Sequence, residues 1–199
     1  MEQTIVMSHP EESLEVMGAP RGKVGMWLFL ASDAVTFGVL LAAYGAMRLG
    51  SSDWPVPSSI LNIPLTALNT FILICSSVTM VKALSAIRHG DVKGLRKFIL
   101  ATAAGGATFL GIQAFEWTRL IAHDGLRLRN NLFCATFFSL TGFHGFHVFC
   151  GVVYLLVIYF RAGMGDFTAE RNMRVEVAGL YWHFVDLVWI LVFTFVYLL

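Results

Sequence analysis

Five long apolar runs dominate the chain, and short polar connections separate them. A hydrocarbon core about 30 Å thick requires about 20 apolar residues for each spanning helix, and every run meets that length. The pattern therefore predicts an all-α integral membrane bundle of five transmembrane helices, which form a single domain over residues 21–199. The predicted helices cover, approximately, residues 25–47, 64–87, 98–121, 133–160 and 178–199.

The amino-terminal segment differs from the rest of the chain. Residues 1–20 carry four glutamates, no lysine or arginine and no long apolar run. A cleaved signal peptide begins with positive charge followed by an apolar core. We therefore expect residues 1–20 to be an acidic, flexible tail.

Polar side chains inside each run share one helix face. At about 100° per residue they fall on a single stripe, so each helix should bury one face against protein and leave the remainder to lipid. Small residues spaced by four also predict close helix contacts. Those residues are Gly38, Ala42 and Ala46 in the first helix and Ala103, Ala107 and Gly111 in the third.

Ionisable residues at membrane depth are the main functional candidates. A charged side chain at a helix centre costs about 2.5 to 3.5 kcal/mol on insertion scales, so such residues need inward partners. The stripes therefore predict one interhelical polar network. Its predicted members are Glu116, His144, His147, Glu176, His183 and Asp186.

Asp33 is a separate candidate because it lies about eight residues, or roughly 12 Å, inside the first predicted helix. An intramembrane acid indicates a functional site, here a proton-related or lipid-cleft carboxylate. The alternative is a protonated or hydrogen-bonded acid that fixes helix packing, and the sequence favours this alternative.

Two other functions fit parts of this pattern. His144, His147 and His183 could ligate haem or a metal in a membrane enzyme, although no carboxylate or cysteine set completes a ligand pattern. A proton-coupled carrier could be centred on Asp33, although no internal repeat is visible. We find no catalytic motif, and we interpret the three cysteines as small buried residues. The cysteines are Cys75, Cys134 and Cys150.

Composition excludes a soluble domain, since 57% of residues are hydrophobic, 14% are charged and the mean hydropathy is +0.70. The net charge of +1 says little, but the distribution of lysine and arginine is uneven. Ten lie on the side of the amino terminus and four, including Arg127 and Arg129, lie on the other side. The positive-inside rule then predicts a cytoplasmic amino terminus and a carboxyl terminus on the outer side of the membrane.

Four segments resemble subunit III of the haem-copper terminal oxidases. They are Leu-Asn-Thr at 68–70, Gln-Ala-Phe-Glu-Trp at 113–117, Phe-Phe-Ser-Leu-Thr-Gly-Phe-His-Gly-Phe-His-Val at 137–148 and Tyr-Trp-His-Phe-Val-Asp-Leu-Val-Trp at 181–189. The match runs in order from about residue 25 to the carboxyl end. Five helices resemble the short bacterial form, found in cytochrome o-type quinol oxidases and some cytochrome c oxidases, which implies a bacterial inner membrane with the carboxyl terminus in the periplasm.

The resemblance implies an accessory subunit with no catalysis of its own and no bound haem or copper. Its expected partners are subunit I, as the main contact, then subunit II, a small subunit IV and phospholipids, with no nucleic acid. It implies stabilisation of subunit I in a proton-pumping, oxygen-reducing complex, and a lipid cleft that supports oxygen access and proton uptake. Whether cytochrome c or quinol supplies the electrons stays open.

Two residues carry family roles by resemblance. Asp33 matches an acid of the family that is commonly glutamate, and Arg161 matches an arginine that meets a lipid headgroup. The chain lacks the two amino-terminal helices of the seven-helix form. A carboxyl-terminal extension of subunit I by two helices is the simplest expected replacement.

Overall fold

Five long helices form the structure, a computed structural model that describes residues 15–16, 19–52, 54–122, 125 and 131–199. All five are long and apolar enough to span a membrane, which confirms the all-α prediction. In chain order the helices are α1 (Arg21–Leu49), the short α2 (Pro57–Ile60), α3 (Ile63–Arg88), α4 (Val92–Ala122), α5 (Leu132–Gly163) and α6 (Met173–Val192). A π-helical segment, Phe193–Leu198, continues α6.

The spanning helices extend beyond the apolar runs because local capping and charged residues continue the helical backbone. Asn62 and Asn131 start α3 and α5, where their side chains accept from the amides of Leu65 at 3.2 Å and Cys134 at 2.7 Å. An N-cap bond of this kind stabilises a helix by about 1 kcal/mol. Gly90, with φ of +76°, allows the tight turn between α3 and α4.

Two strands of two residues each, β1 (Glu15–Val16) and β2 (Ala19–Pro20), pair antiparallel directly before α1. They are the described part of the segment that the sequence predicts to be a flexible tail. Arg127 and Arg129, which are predicted to lie on the side opposite the amino terminus, are outside the described residues.

The core of the bundle is centred on α6, which contacts α1, α3 and α5. Trp182 and Trp189, which are separated by two turns of α6, are both almost fully buried. By contrast α1 is the least buried of the spanning helices, and its apolar residues Trp27, Leu28 and Val35 are at least 60% exposed. Helix α1 therefore presents an exposed apolar flank.

Close helix contacts occur at glycines other than those the sequence predicts. A methyl group added at Gly38 or Gly111 would meet no atom within 4 Å. At Gly106 it would overlap the Trp182 ring and lie 2.7 Å from Val152, and at Gly151 it would lie 2.9 Å from the same ring. The expected contact through Gly38 and Gly111 is therefore wrong, because spacing alone does not tell which face has a large partner.

Candidate functional site

Asp33 and His147 meet at the centre of the bundle, where α1 passes α5. The Oδ2 atom of Asp33 lies 2.9 Å from Nε2 of His147. Both residues are buried, with 8% and 7% of their surface exposed. Asp33 lies about 18 Å along α1, so the pair is at mid-membrane depth.

The second ring nitrogen of His147 determines where a proton must lie. Nδ1 is 2.8 Å from the carbonyl oxygen of Phe143, and because a carbonyl only accepts, Nδ1 carries the hydrogen. A bare carboxylate facing the lone pair of Nε2 would be repulsive. The 2.9 Å approach of Asp33 to His147 is an ion-pair contact and not an aligned hydrogen bond, because Oδ2 has no hydrogen-bond partner among the described residues.

Aromatic side chains enclose this pair. Phe37 lies edge-on to His147 with ring centroids 5.3 Å apart, and it contacts Phe143 at 5.0 Å. The Tyr181 hydroxyl donates to the His147 carbonyl at 2.9 Å, which ties α6 to α5 beside the pair. These contacts fix the position of the His147 ring beside Asp33.

An apolar cleft of about 500 Å³ opens on the other side of His147, between α1, α5 and α6. Its walls include Phe29, Phe146, Cys150 and Tyr154. A cleft of this size is in the usual range for small-ligand sites. The arrangement can hold a long apolar group beside an acid and an imidazole.

A second cluster joins α3 to α6. The Ser77 hydroxyl lies 2.6 Å from Oδ2 of Asp186 and 3.0 Å from Nδ1 of His183. Asp186 is buried, whereas His183 is half-buried. The serine therefore bridges the acid and the imidazole of the same helix.

A third cluster surrounds Glu116 at the end of the bundle where the π-helical segment lies. Its two carboxylate oxygens accept from the hydroxyls of Thr66 at 3.1 Å and Tyr197 at 3.2 Å. All three residues are at most 5% exposed. Tyr197 belongs to the π-helical segment, whose wider turn changes the side-chain phase relative to an α-helix.

The remaining predicted members lie elsewhere. His144 is fully buried between Trp189 and Phe109, with ring centroids 4.8 and 5.7 Å away, and neither of its nitrogens bonds another described residue. Glu176 lies at the opposite end from Glu116, where its Oε1 is 2.8 Å from Lys23 Nζ and 3.4 Å from Arg88 Nη2.

The six residues therefore do not form the single network that the sequence predicts. Helical phase tells which face a residue occupies, but the helices run in alternate directions and the depth of each residue separates the clusters. Glu176 is in the first turn of α6, whereas Glu116 lies near the far end of α4. His147 pairs with Asp33, which the sequence analysis treats as a separate candidate.

Sequence reasoning misses the two tryptophans that organise α6. The Trp182 indole donates to Ser76 Oγ and the Trp189 indole to Thr70 Oγ1, both at 2.9 Å. Buried indole N–H groups usually find such partners. The available signal was the seven-residue spacing of the tryptophans opposite hydroxyl residues on α3.

Three further predictions concern Arg161, the cysteines and a metal site. Arg161, the candidate for a lipid headgroup, ends α5, and its Nε lies 3.5 Å from Asp166 Oδ2. Cys134 is buried as expected, but Cys75 is exposed and Cys150 is half-buried at the cleft, because α3 and α5 show those positions outward. Within the described ranges no group of three histidine, cysteine or acidic side chains is arranged to hold a metal ion.

The fold and these clusters define a helical integral membrane protein with internal acid and histidine pairs. Comparison with known proteins identifies its family. The family model for cytochrome c oxidase subunit III matches residues 11–199. Cytochrome c oxidase subunit 3 of Thermostichus vulcanus is 40% identical over 88% of this chain and 86% of that protein.

Two other relatives widen the comparison. Cytochrome c oxidase subunit 3 of Alkalihalophilus pseudofirmus is 30% identical over 96% of this chain and 92% of its own length. Quinol oxidase subunit 3 of Bacillus subtilis is 32% identical over 88% of this chain and 86% of its own length. The chain belongs to the cytochrome c oxidase subunit III family, that is, to subunit III of the haem-copper oxidases.

Proposed function

We propose that this chain is the accessory, non-redox subunit III of a bacterial haem-copper oxidase that reduces oxygen to water and pumps protons across the cytoplasmic membrane. The family match over residues 11–199 carries the proposal. It favours an accessory role over a metal enzyme that uses the three histidines and over a carrier centred on Asp33. The amino terminus is then cytoplasmic, as the distribution of lysine and arginine predicts.

The main partner is catalytic subunit I, with subunit II and a small subunit IV in the same complex. The exposed flank of α1 supports a protein partner, since Val35 and Val39 are 67% and 63% exposed on a helix with little contact to its own bundle. Two helices from an extension of subunit I are the proposed cover for this flank. By this contact, the chain is proposed to stabilise subunit I against inactivation during repeated turnover.

The cleft beside His147 is proposed to bind an acyl chain of a phospholipid. Its walls are apolar, its volume is about 500 Å³, and it opens from the bundle at membrane depth. Arg161 is the proposed contact for a headgroup, as the family resemblance implies, and it is partly exposed at the end of α5. The same cleft is proposed to admit oxygen toward the catalytic subunit.

Asp33 and His147 are proposed to support proton uptake together. Their 2.9 Å contact supports this role, because it brings an acid and an imidazole nitrogen together at mid-membrane depth. The pair binds no cofactor in this proposal. Its effect is on sustained turnover rather than on the chemistry of oxygen reduction.

The decisive experiment compares the oxidase purified with and without this chain. We expect this chain to purify with haem-containing subunits. After its deletion the haem content and the initial rate of oxygen consumption stay close to normal, but activity declines faster over many turnovers. Purification of the chain without any haem-containing partner would overturn the proposal.

Lipid binding is tested by filling the cleft. Cys150→Trp places an indole among the cleft walls, whereas the control Phe149→Trp lies on an outward position about 100° away around the same helix, 55% exposed and outside the cleft. Lipid extraction from the purified complex should show less bound phospholipid for Cys150→Trp alone. Equal lipid content in both variants would contradict a cleft-bound chain.

A further inference from the structure

The outer face of α6 between α1 and α3 contains one polar atom that the bundle does not satisfy. His183 is half-buried on this face, and its Nδ1 is committed to Ser77 at 3.0 Å. Its Nε2 contacts no hydrogen-bonding atom among the described residues and remains accessible at the surface. His183 is ten residues, or about 15 Å, along α6, so this surface is at mid-membrane depth.

The Ser77 bridge fixes the direction of this nitrogen. The Ser77 hydroxyl lies 2.6 Å from Oδ2 of Asp186 and 3.0 Å from Nδ1 of His183. Because it has a single proton, it donates to one of these neighbours and accepts from the other. When Ser77 donates to Asp186, Nδ1 donates to Ser77 and Nε2 is an acceptor. When Asp186 is protonated and donates to Ser77, Nε2 carries a hydrogen. In both arrangements Nε2 is turned away from α3 with an unused bonding position.

Two hydroxyl side chains on the outer surface, Ser32 and Thr108, are satisfied within their own helices. Ser32 donates to the carbonyl of Phe29 at 2.7 Å, and Thr108 donates to the carbonyl of Ala104 at 2.8 Å. Short hydroxyl side chains reach the preceding turn of their own helix, so they can face hydrocarbon. Nε2 of His183 has no such internal partner, and hydrocarbon supplies none.

The surroundings of His183 have the form of a helix-docking surface. Leu187 and Ile190 continue its face of α6 and are 57% and 42% exposed, and Ile74 and Val81 flank Ser77 on α3 at 40% and 56%. At the cytoplasmic-side end, Glu176 contacts cations from both α1 and α3, so these helices border α6. The result is an apolar strip with one hydrogen-bonding atom near its middle.

We infer that this strip, centred on His183, seats a transmembrane helix of a partner subunit, and that this helix places a hydrogen-bonding side chain against Nε2. A helix fits better than lipid because an acyl chain cannot bond an imidazole. A polar side chain on an otherwise apolar helix satisfies both the nitrogen and the strip. The inference rests on the proposed function and adds the face and the atom through which the partner is held.

The test uses the intact purified oxidase and a photo-reactive benzophenone amino acid in place of Leu187, one turn beyond His183. Illumination should join this chain to another integral subunit, identified by mass spectrometry. Adducts with lipid alone, or with a second copy of this chain, would overturn the inference. Because this probe leaves His183 intact, the test does not depend on a variant that fails to fold.

Substitutions then test the atom. In His183→Leu, dissociation of this chain from the complex in detergent should increase about three- to thirty-fold, the range for one hydrogen bond in a membrane. His183→Gln is the matched variant, because its side-chain amide keeps a hydrogen-bonding group on the same face of α6, and it should restore part of the retention. Equal dissociation of His183→Gln and His183→Leu would overturn the inference. If haem-containing subunits co-purify while the probe meets only lipid, this inference fails and the proposed function stands.

Discussion

The packing of Trp182 against Gly106 gives the most quantitative prediction. A methyl group at Gly106 would overlap the indole and lie 2.7 Å from Val152, and both neighbours are buried, with the indole 1% exposed. Added volume in a tight core costs about 1 to 3 kcal/mol. Gly106→Ala should therefore destabilise the bundle, even though alanine favours a helix more than glycine does.

Gly111→Ala is the matched control on the same helix, since its methyl group meets nothing within 4 Å. Without a clash, the helix preference of alanine predicts a gain of up to about 1 kcal/mol. The two changes are chemically identical and should have opposite signs. For a chain of this size, about 1 kcal/mol shifts Tm by roughly 2 to 4 °C, so Gly106→Ala should lower Tm by about 2 to 12 °C.

The assay is thermal melting of the purified complex, followed by the loss of this chain from it. A double-mutant cycle with Trp182→Phe isolates the contact, because the smaller ring should relieve the clash and reduce the cost of Gly106→Ala. Equal shifts of Tm for Gly106→Ala and Gly111→Ala would refute the packing argument. So would a cost of Gly106→Ala that is unchanged in the Trp182→Phe background.

Two further predictions concern the polar sites, and a third concerns the exposed flank of α1. Asp33→Asn should leave the initial rate of oxygen reduction nearly normal but accelerate its decline over many turnovers, as recorded in an oxygen electrode; immediate and complete loss with assembly intact would make Asp33 part of the chemistry. Glu116→Gln should keep acceptor capacity for Tyr197 and cost less stability than Glu116→Leu, which leaves the buried Tyr197 hydroxyl unpaired at about 1 to 3 kcal/mol, whereas Thr66 keeps the Asn62 carbonyl at 3.1 Å; thermal melting that ranks the two variants in the reverse order would contradict the assignment. A structure of the complex should show protein helices on the exposed flank of α1, and lipid alone at that flank would count against the proposed cover.

The five helices were predictable because apolar length is the dominant physical requirement for crossing a membrane. The polar stripes also placed Asp33, His147 and Asp186 on inward faces, and all three are buried. What failed was the pairing of these residues across helices. Pairing depends on depth and on neighbour order, and the sequence specifies neither when all helices are similar in length and apolarity.

The Trp182 contacts show a second limit of sequence reasoning. A stripe of small residues allows close approach, but a large side chain on the opposite helix must be known before the contact can be located. Gly106 and Gly151 face one indole, whereas Gly38 and Gly111 face no neighbouring atom within 4 Å. The same residue type therefore has opposite structural meanings in one chain.

The position of α1 has a consequence for biosynthesis. Its contacts are with the last helices to be made, through Asp33 with His147, Phe29 with Tyr181 and Lys23 with Glu176. At a usual rate of synthesis, roughly 150 residues take about 8 to 30 s. During this time α1 lies in the bilayer without a partner for Asp33, an acid that is buried in the folded chain. An insertase or chaperone that shields the first helix during this interval would raise the yield of folded chain, and a shortage of it should affect this helix before any other.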